Sequence, residues 1–355
     1  MIDEFVYRGC RVVVLGDEPE GVWREYFNAH KVSYRSYSIS RNGLNPVADI
    51  KTKRNLFSIL HQEQPDKVFT YQAKSNIYGC MAAHSAGIED IYVMMGGLGS
   101  IFRSDGLKNM IIRIIVSAEY RAALKYAKRI FFQNEDDVAT FEHLKIIPNR
   151  EKAVMVHGSG VNLDRFQCKP MPAQPSFLFV GRLVKGKGVL DYLQAARLVK
   201  KAYPNVEFHI VGPFDSNPTA LKLNDLQPYI DDKTVVFHGE QSDVRPFLEK
   251  CSCFVLPSYY GEGTPKAALE AMATGRPLIM ADAVGCREVV RDGENGFLVS
   301  PKQPNEIASS MIKLIEAPEF AENTAKASRR MAEDIFNVCK VNDVICKIME
   351  IDFAA

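Results

Sequence analysis

Residues 254–279 read FVLPSYYGEGTPKAALEAMATGRPLI, and this stretch decides the fold. A short apolar run is followed by a Gly-bearing loop, a helix-forming segment, a Gly stop and a second apolar run. Pro265 suits the first turn of the helix, because its missing N–H would have no intrahelical partner there. Gly275 suits the position just past the helix end. The pattern therefore predicts a strand–helix–strand unit of a parallel sheet.

Two carboxylates lie close to the start of this helix. Glu262 is in the loop, and Glu270 is about one and a half turns into the helix. A helix N-terminus offers free backbone N–H groups and the positive end of the helix dipole, so it can bind an anion. An anion site between two carboxylates that can accept from hydroxyl groups suits a sugar nucleotide.

Length, charge and cysteine content limit the class of protein. The chain has 355 residues, more than one hydrophobic core usually serves, so two domains are expected. Lys and Arg total 44 against 43 Asp and Glu, and this balance gives no indication of a nucleic-acid partner. Eight scattered Cys without metal-ligand or disulfide spacing favour reduced thiols. With no signal peptide and no run of about 18 apolar residues, a soluble cytoplasmic protein is expected.

Apolar strand patterns alternate with helical patterns along the whole chain. This alternation predicts an α/β protein with two Rossmann-like, doubly wound domains facing each other across a cleft. A Pro-rich linker over 166–176 separates them. The predicted domains are residues 1–168 and 169–335, followed by a helix over 336–355 that crosses back to the first domain.

Two cations follow the first strand of the second domain. Arg182 and Lys187 lie between the apolar run 177–180 and a helical pattern that starts at Gly188. Cations at such an edge suit a diphosphate, Arg through its bidentate fork and Lys as a point charge. The alternative is that both are solvated surface charges.

Three features of the C-terminal half occur together and in order. They are the Gly-Arg-x-x-x-x-Lys-Gly run from Gly181, the Leu-Pro-Ser strand end and the Glu-x7-Glu pair, followed by the short strand 295–299. This half resembles the family-4 retaining glycosyltransferases of the GT-B fold.

Five further runs lie mostly in the N-terminal half: 40–46 (SRNGLNP), 70–79 (TYQAKSNIYG), 97–99 (GLG), 131–134 (FFQN) and 158–162 (GSGVN). With these runs, the N-terminal half resembles a narrower bacterial subgroup, whose members add N-acetylgalactosamine or related hexoses from UDP donors to polyprenyl-diphosphate-linked saccharides. The likeness covers nearly the whole chain.

The resemblance implies a role for each matched residue. Arg182 and Lys187 would stabilise the departing diphosphate, Glu262 would bind the transferred sugar and Glu270 the ribose. Further donor-binding positions would be Gly181, Gly239, Gly263, Thr264 and Lys266, and acceptor-side positions would be Lys74, Asn76, Gly97 and Gly99. No cofactor is implied, and no metal either, because the cations would serve the diphosphate and no Asp-x-Asp pair is present.

The sequence departs from the family pattern at its start. The opening residues match the end of the family's first helix, so a first strand and its Gly-bearing loop are not found. This departure keeps one alternative open, a truncated, inactive sugar-nucleotide-binding protein. A second alternative, independent of it, is a UDP-sugar 2-epimerase on the same scaffold.

The segment 103–129 suggests contact with the inner face of a membrane. Its seven basic residues outnumber Asp105 and Glu119: Arg103, Lys108, Arg113, Arg121, Lys125, Lys128 and Arg129. Apolar residues are interleaved with them: Met110, Ile111, Ile112, Ile114, Ile115 and Val116. A basic amphipathic segment can lie on an anionic bilayer. The alternative is an ordinary helix whose apolar face packs on the sheet.

Overall fold

The structure is a computed structural model, and it describes residues 1–40, 43, 45–99, 102, 106–215 and 219–353. The chain divides into two compact units. The first comprises residues 1–156 and 342–355, and the second comprises residues 157–341. Each unit has its own hydrophobic core, as expected for separate domains. Within the described residues, no helix is both long enough and apolar enough to cross a bilayer.

Helices and strands alternate in the first unit. The order is α1 (Ile2–Tyr7), β1 (Val13–Gly16), α2 (Glu20–Ala29), β2 (Ser33–Ser36), α3 (Pro46–Glu63), β3 (Lys67–Tyr71), α4 (Ala73–Ser85), β4 (Asp90–Met94), α5 (Leu107–Leu124), β5 (Arg129–Phe132), α6 (Glu135–His143) and β6 (Ala153–Met155). All strand pairs are parallel. They form two sheets, β1-β2 and β3-β4-β5-β6, rather than the single sheet that the alternation predicts.

The second unit contains one six-stranded sheet. Its elements are β7 (Ser176–Val180), α7 (Val189–Ala202), β8 (Glu207–Val211), α8 (Leu223–Asp231), β9 (Val236–Phe237), α9 (Arg245–Lys250), β10 (Cys253–Leu256), α10 (Lys266–Ala273), β11 (Leu278–Ala281), β12 (Gly296–Val299), α11 (Pro304–Glu316), α12 (Pro318–Asp334) and α13 (Val338–Ile348), whose residues from Asn342 onward belong to the first unit. The sheet is parallel throughout, in the order β12-β11-β10-β7-β8-β9.

The boundary between the two units differs from the predicted one at residue 168. Asn337, between α12 and α13, forms a parallel bridge with Val161. The same bridge ties residues that precede the predicted boundary at 168 to the second unit.

The quoted stretch folds as β10, a loop, α10 and β11. All four residues of β10 are buried, as expected for a strand covered on both faces. Gly275 ends α10 with φ 77°, a left-handed conformation that favours glycine. The N–H of Gly275 donates to the Met272 carbonyl and that of Arg276 to the Ala271 carbonyl, which is the Schellman arrangement.

Candidate active site

The strand order of the second unit reverses beside β7. The chain runs from β7 to β8 on one side and later returns to place β10 on the other side. In open α/β sheets, ligands bind beyond the carboxyl ends of the strands at such a switch point. Residues 181–188, after β7, and residues 257–265, after β10, therefore lie where a ligand is expected.

These two loops pack directly on each other. The N–H of Tyr259 donates to the carbonyl of Gly186 at 2.8 Å. Gly188 has φ 74°, and a Cβ at this position would lie 2.3 Å from the carbonyl oxygen of Pro257. Only glycine allows this approach. The contact fixes Lys187, the preceding residue, beside the second loop.

Lys187 and Glu262 meet across the two loops. The distance from Lys187 Nζ to Glu262 Oε1 is 2.5 Å, and each side chain is only 14% exposed. Ser258 Oγ donates to the same carboxylate oxygen at 2.8 Å. The spacing in the sequence placed both charged residues at this edge, but it did not predict their ion pair. Glu262 is thus held by a cation and a hydroxyl in a largely buried position.

Arg182 is oriented by two neighbours that sequence reasoning missed. Its Nη1 donates to Asp215 Oδ2 at 2.7 Å, and its guanidinium carbon lies 5.8 Å from the centre of the Tyr260 ring. Burial lowers the pKa of Arg182, but the bond and charge of Asp215 outweigh burial and leave that pKa raised. Half of the Arg182 side chain is exposed. One edge of the guanidinium is therefore tethered, and its other N–H groups can bind an anion.

The helix α10 begins one residue later than predicted. Pro265 is its N-cap, with an extended ψ of 112°, and not part of the first turn. Its carbonyl accepts from the N–H groups of Ala268 and Leu269. The N–H groups of Lys266 and Ala267 precede the first intrahelical bond, so the helix start keeps the anion-binding character that was predicted.

Glu270 is a half-buried carboxylate on α10. Burial raises its pKa above the ordinary carboxyl value. Its side chain makes no hydrogen bond or ion pair with the residues that the structure describes. A carboxylate in this state can accept from the hydroxyl groups of a bound ligand.

The remaining donor-side positions lie along the same edge of the sheet. Gly181 donates to the carbonyl of Val211, and the N–H of Gly212 donates to the carbonyl of Gly239 at 2.8 Å. The loops after β7, β8 and β9 are thereby joined. On the other side, a Cβ on Gly158 would lie 2.7 Å from Thr264. The run 158–162, which the sequence marked only by resemblance, therefore packs beside the donor loop.

The predicted acceptor-side residues belong to the first unit. Lys74 Nζ lies 2.8 Å from Asp49 Oδ1, and this ion pair between α4 and α3 is largely buried. Asn76 is fully buried, and its Nδ2 donates to the carbonyl of Met94. Asn76 is enclosed and braces α4, whereas Lys74 keeps nearly the same partial exposure as Lys187.

Gly97 and Gly99 follow β4, at the carboxyl edge of the four-stranded sheet. Both residues are half-buried. They therefore lie at the edge where ligands of parallel sheets usually bind. In the run 40–46, residues Arg41, Asn42 and Leu44 lie outside the described residues.

Comparison with solved structures identifies the fold. The Anabaena protein Alr3699/HepE, solved in complex with UDP-glucose, superposes with a TM-score of 0.76 at 19% identity, over 98% of this chain and 94% of that chain. Sucrose-phosphate synthase from Thermosynechococcus elongatus gives a TM-score of 0.77 at 17% identity, over 98% and 92%. The fold is that of the GT-B glycosyltransferases, which have two Rossmann-like domains.

The sequence comparison matches part of the second unit to a known family. Residues 174–317 match the family described as "Glycosyl transferases group 1", so this region is similar to that family. Arg182, Lys187, Glu262 and Glu270 all lie within this match.

Two bacterial relatives extend over most of the chain. The N,N'-diacetylbacillosaminyl-diphospho-undecaprenol alpha-1,3-N-acetylgalactosaminyltransferase of Campylobacter jejuni is 28% identical, over 82% of this chain and 78% of its own length. The UDP-Gal:alpha-D-GlcNAc-diphosphoundecaprenol alpha-1,3-galactosyltransferase of Escherichia coli is 27% identical, over 87% and 81%. Both are transferases that act on diphospho-undecaprenol-linked saccharides.

Proposed function

We propose that this chain transfers a hexose or N-acetylhexosamine from a UDP-sugar to a saccharide carried on a polyprenyl diphosphate. The observation that carries the proposal is the Lys187–Glu262 ion pair at the switch point of the second unit, with Arg182 on the same loop as Lys187. Two cations suit the diphosphate, and the adjacent carboxylate suits the hydroxyl groups of the sugar.

The reaction breaks the bond between the sugar C1 and the β-phosphate oxygen. Positive charge develops on the sugar ring, and negative charge develops on the departing diphosphate. Arg182, Lys187 and the N–H groups at the start of α10 are aimed at this negative charge. Such preorganised groups usually supply the largest catalytic contribution. In this mechanism the two cations take the role that a metal ion has in other transferases.

We propose retention of the anomeric configuration. The acceptor oxygen attacks C1 from the face that the diphosphate leaves, and its proton passes to the departing phosphate oxygen. No covalent enzyme intermediate is needed, so Glu262 serves as a binding and orienting group. On donor binding, Lys187 shifts its contact from Glu262 towards a phosphate oxygen, and Glu262 then accepts from the sugar hydroxyls.

The acceptor and the place of action are inferred from the relatives. Both named relatives use a saccharide on diphospho-undecaprenol, a lipid that resides in a membrane. We therefore infer that this chain works as a peripheral protein at the inner face of the membrane, with its UDP-sugar supplied from the cytoplasm.

The test uses UDP-glucose, UDP-galactose and UDP-N-acetylgalactosamine with N-acetylglucosaminyl-diphospho-undecaprenol in detergent. We expect UDP release from at least one donor, above the background without protein. Glu262→Ala should abolish release, while the Kd for UDP, measured by calorimetry, stays within about threefold, because Glu262 contacts the sugar and not the nucleotide. Glu319→Ala, an exposed carboxylate on α12, is the control.

Two outcomes would contradict the proposal. Tight UDP binding without release from any of the three donors would favour the inactive binding protein. Release by Glu262→Ala at a rate near that of the unmodified chain would remove Glu262 from the site.

A further inference from the structure

The first unit has a pocket at the carboxyl edge of its two-stranded sheet. The pocket has a volume of about 360 Å³. Asp17 and residues 36–38, which directly follow or end the two strands β1 and β2, line one side of it. Because the strands are parallel, with Gly16 opposite Ser36, these residues lie at the same edge of the sheet. In open α/β sheets this edge is where ligands bind.

Helix α3 forms the other side of the pocket. Asn55, Ser58 and Ile59 line it, and their spacing of i, i+3 and i+4 places them on one face of the helix. Thr52, one turn earlier, donates from its Oγ1 to the carbonyl of Ser38 at 2.7 Å. A direct hydrogen bond therefore holds the helix against the segment that forms the opposite wall.

The lining is rich in groups that can both donate and accept hydrogen bonds. They are three hydroxyls and one amide, which belong to Ser36, Ser38, Ser58 and Asn55. The side chains of Asn55 and Ser58 make no hydrogen bond with the residues that the structure describes. Tyr37 and Ile59 add a small apolar area. This combination matches a sugar ring, whose hydroxyls both donate and accept and whose C–H groups are apolar.

The charge at the pocket is negative. Asp17 lines it, and Glu20 Oε1 accepts from the N–H of Ser36 at 3.4 Å. No lining residue in the described part of the chain is a Lys or an Arg. Arg35, which precedes Ser36, is paired with Glu63 at 3.1 Å. A phosphate or a uronic acid would therefore be repelled at this pocket, whereas an uncharged sugar would not.

We propose that this pocket binds one uncharged sugar residue of the acceptor saccharide, with Asn55 and Ser58 as hydrogen-bonding partners and with Asp17 excluding acidic sugars. The proposal rests on the proposed function for the identity of the ligand as an acceptor. Binding of a sugar is a separate property of the pocket. The pocket residues lie outside the sequence runs that carry the resemblance, so the motifs gave no sign of this site.

Saturation-transfer NMR with methyl α-N-acetylglucosaminide and methyl α-glucuronide tests the proposal without donor or lipid. The full chain should bind the uncharged glycoside, and the glucuronide should bind about tenfold more weakly because its carboxylate meets Asp17. Asn55→Ala/Ser58→Ala should weaken binding of the uncharged glycoside about tenfold, because two hydrogen bonds to the ligand are lost. Asp17→Asn should narrow the difference between the two glycosides.

Turnover gives a second readout, with N-acetylglucosaminyl-diphospho-undecaprenol as acceptor. Asn55→Ala/Ser58→Ala should raise the acceptor KM about tenfold and leave kcat within about threefold, because the pocket binds the ground state and the transition state equally. Asn305→Ala/Ser309→Ala is the matched control, since it removes the same two groups from exposed positions of α11 in the second unit. The control should change neither the glycoside Kd nor the acceptor KM, and the Kd for UDP should be the same in all variants.

Two results would overturn the pocket proposal. One is binding of the uncharged glycoside that is undetectable in the unmodified chain or unchanged in Asn55→Ala/Ser58→Ala. The other is equal binding of the two glycosides, which would remove Asp17 from the site. Failure of the proposed function gives a different result. Glycoside binding that responds to these substitutions, without UDP release from any donor, would refute the transferase and leave the sugar-binding pocket supported.

Discussion

The Lys187–Glu262 ion pair allows stability and catalysis to be separated by one set of variants. Lys187→Met removes the cation but keeps a side chain of similar length. Removing one partner of a fully buried pair costs about 3–5 kcal/mol. Here both side chains keep 14% exposure, and Ser258 still donates to Glu262. We therefore expect the free energy of unfolding to fall by roughly 2–3 kcal/mol.

The double variant Lys187→Met/Glu262→Gln should recover most of that loss. It replaces two opposite charges by neutral side chains of similar shape, so no uncompensated charge stays in the loop. Catalysis should not recover. Loss of one preorganised cation from a developing diphosphate is expected to lower kcat by roughly 10²–10³-fold. Loss of the Glu262 carboxylate removes the sugar contact as well.

The measurements are urea unfolding of the second unit and steady-state release of UDP. The reasoning predicts that stability and turnover diverge in the double variant, with near-normal stability and very low kcat. Recovery of both together would show that the ion pair only supports the fold. A kcat for Lys187→Met within tenfold of the unmodified chain would likewise refute a role for Lys187 at the diphosphate.

Two other positions give sharp expectations. Burial raises the pKa of the Glu270 carboxyl, so the folded chain holds the carboxyl proton more tightly than the unfolded chain does. The stability that Glu270 contributes therefore falls as the pH rises from the ordinary carboxyl range through the raised pKa. Glu270→Gln should flatten that fall in unfolding experiments and weaken UDP binding roughly tenfold in calorimetry; an unchanged pH slope would contradict this. Gly188→Ala should lower the free energy of unfolding by about 3 kcal/mol or more, because the added Cβ meets a backbone oxygen. Gly293 has a similar φ of 76° but open space around it, so Gly293→Ala should lower it by only about 1–2 kcal/mol. Equal losses in thermal unfolding would refute the role of the close approach.

Much of the fold could be predicted from local patterns. The apolar run of β10 and the Gly stop at Gly275 report on burial and on backbone conformation within a few residues, and both predictions are confirmed. The first residue of α10 could not be predicted in this way, because the fixed φ of proline suits both the N-cap and the first turn of a helix. The ψ of Pro265 decides it, and no local pattern encodes that angle.

The contacts that build the site depend on strand order, which periodicity does not determine. Asp215 follows β8 and Arg182 follows β7, and they meet because these strands are neighbours in the sheet. Asp215 closely follows the apolar run that ends at Val211, and this was the available signal for it. Lys74 is a similar case, because its motif gave no sign of the ion pair that it forms with Asp49 on the neighbouring helix.

The two cations of the proposed site differ in how they can meet a diphosphate. Arg182 is half exposed and tethered through one nitrogen, so its other donors can engage a phosphate while Asp215 stays bound. Lys187 is largely buried, and its single ammonium already lies against Glu262. It can reach the diphosphate only by giving up or sharing that contact. Arg182 is therefore suited to capture the donor, and Lys187 is suited to respond as charge develops on the leaving group.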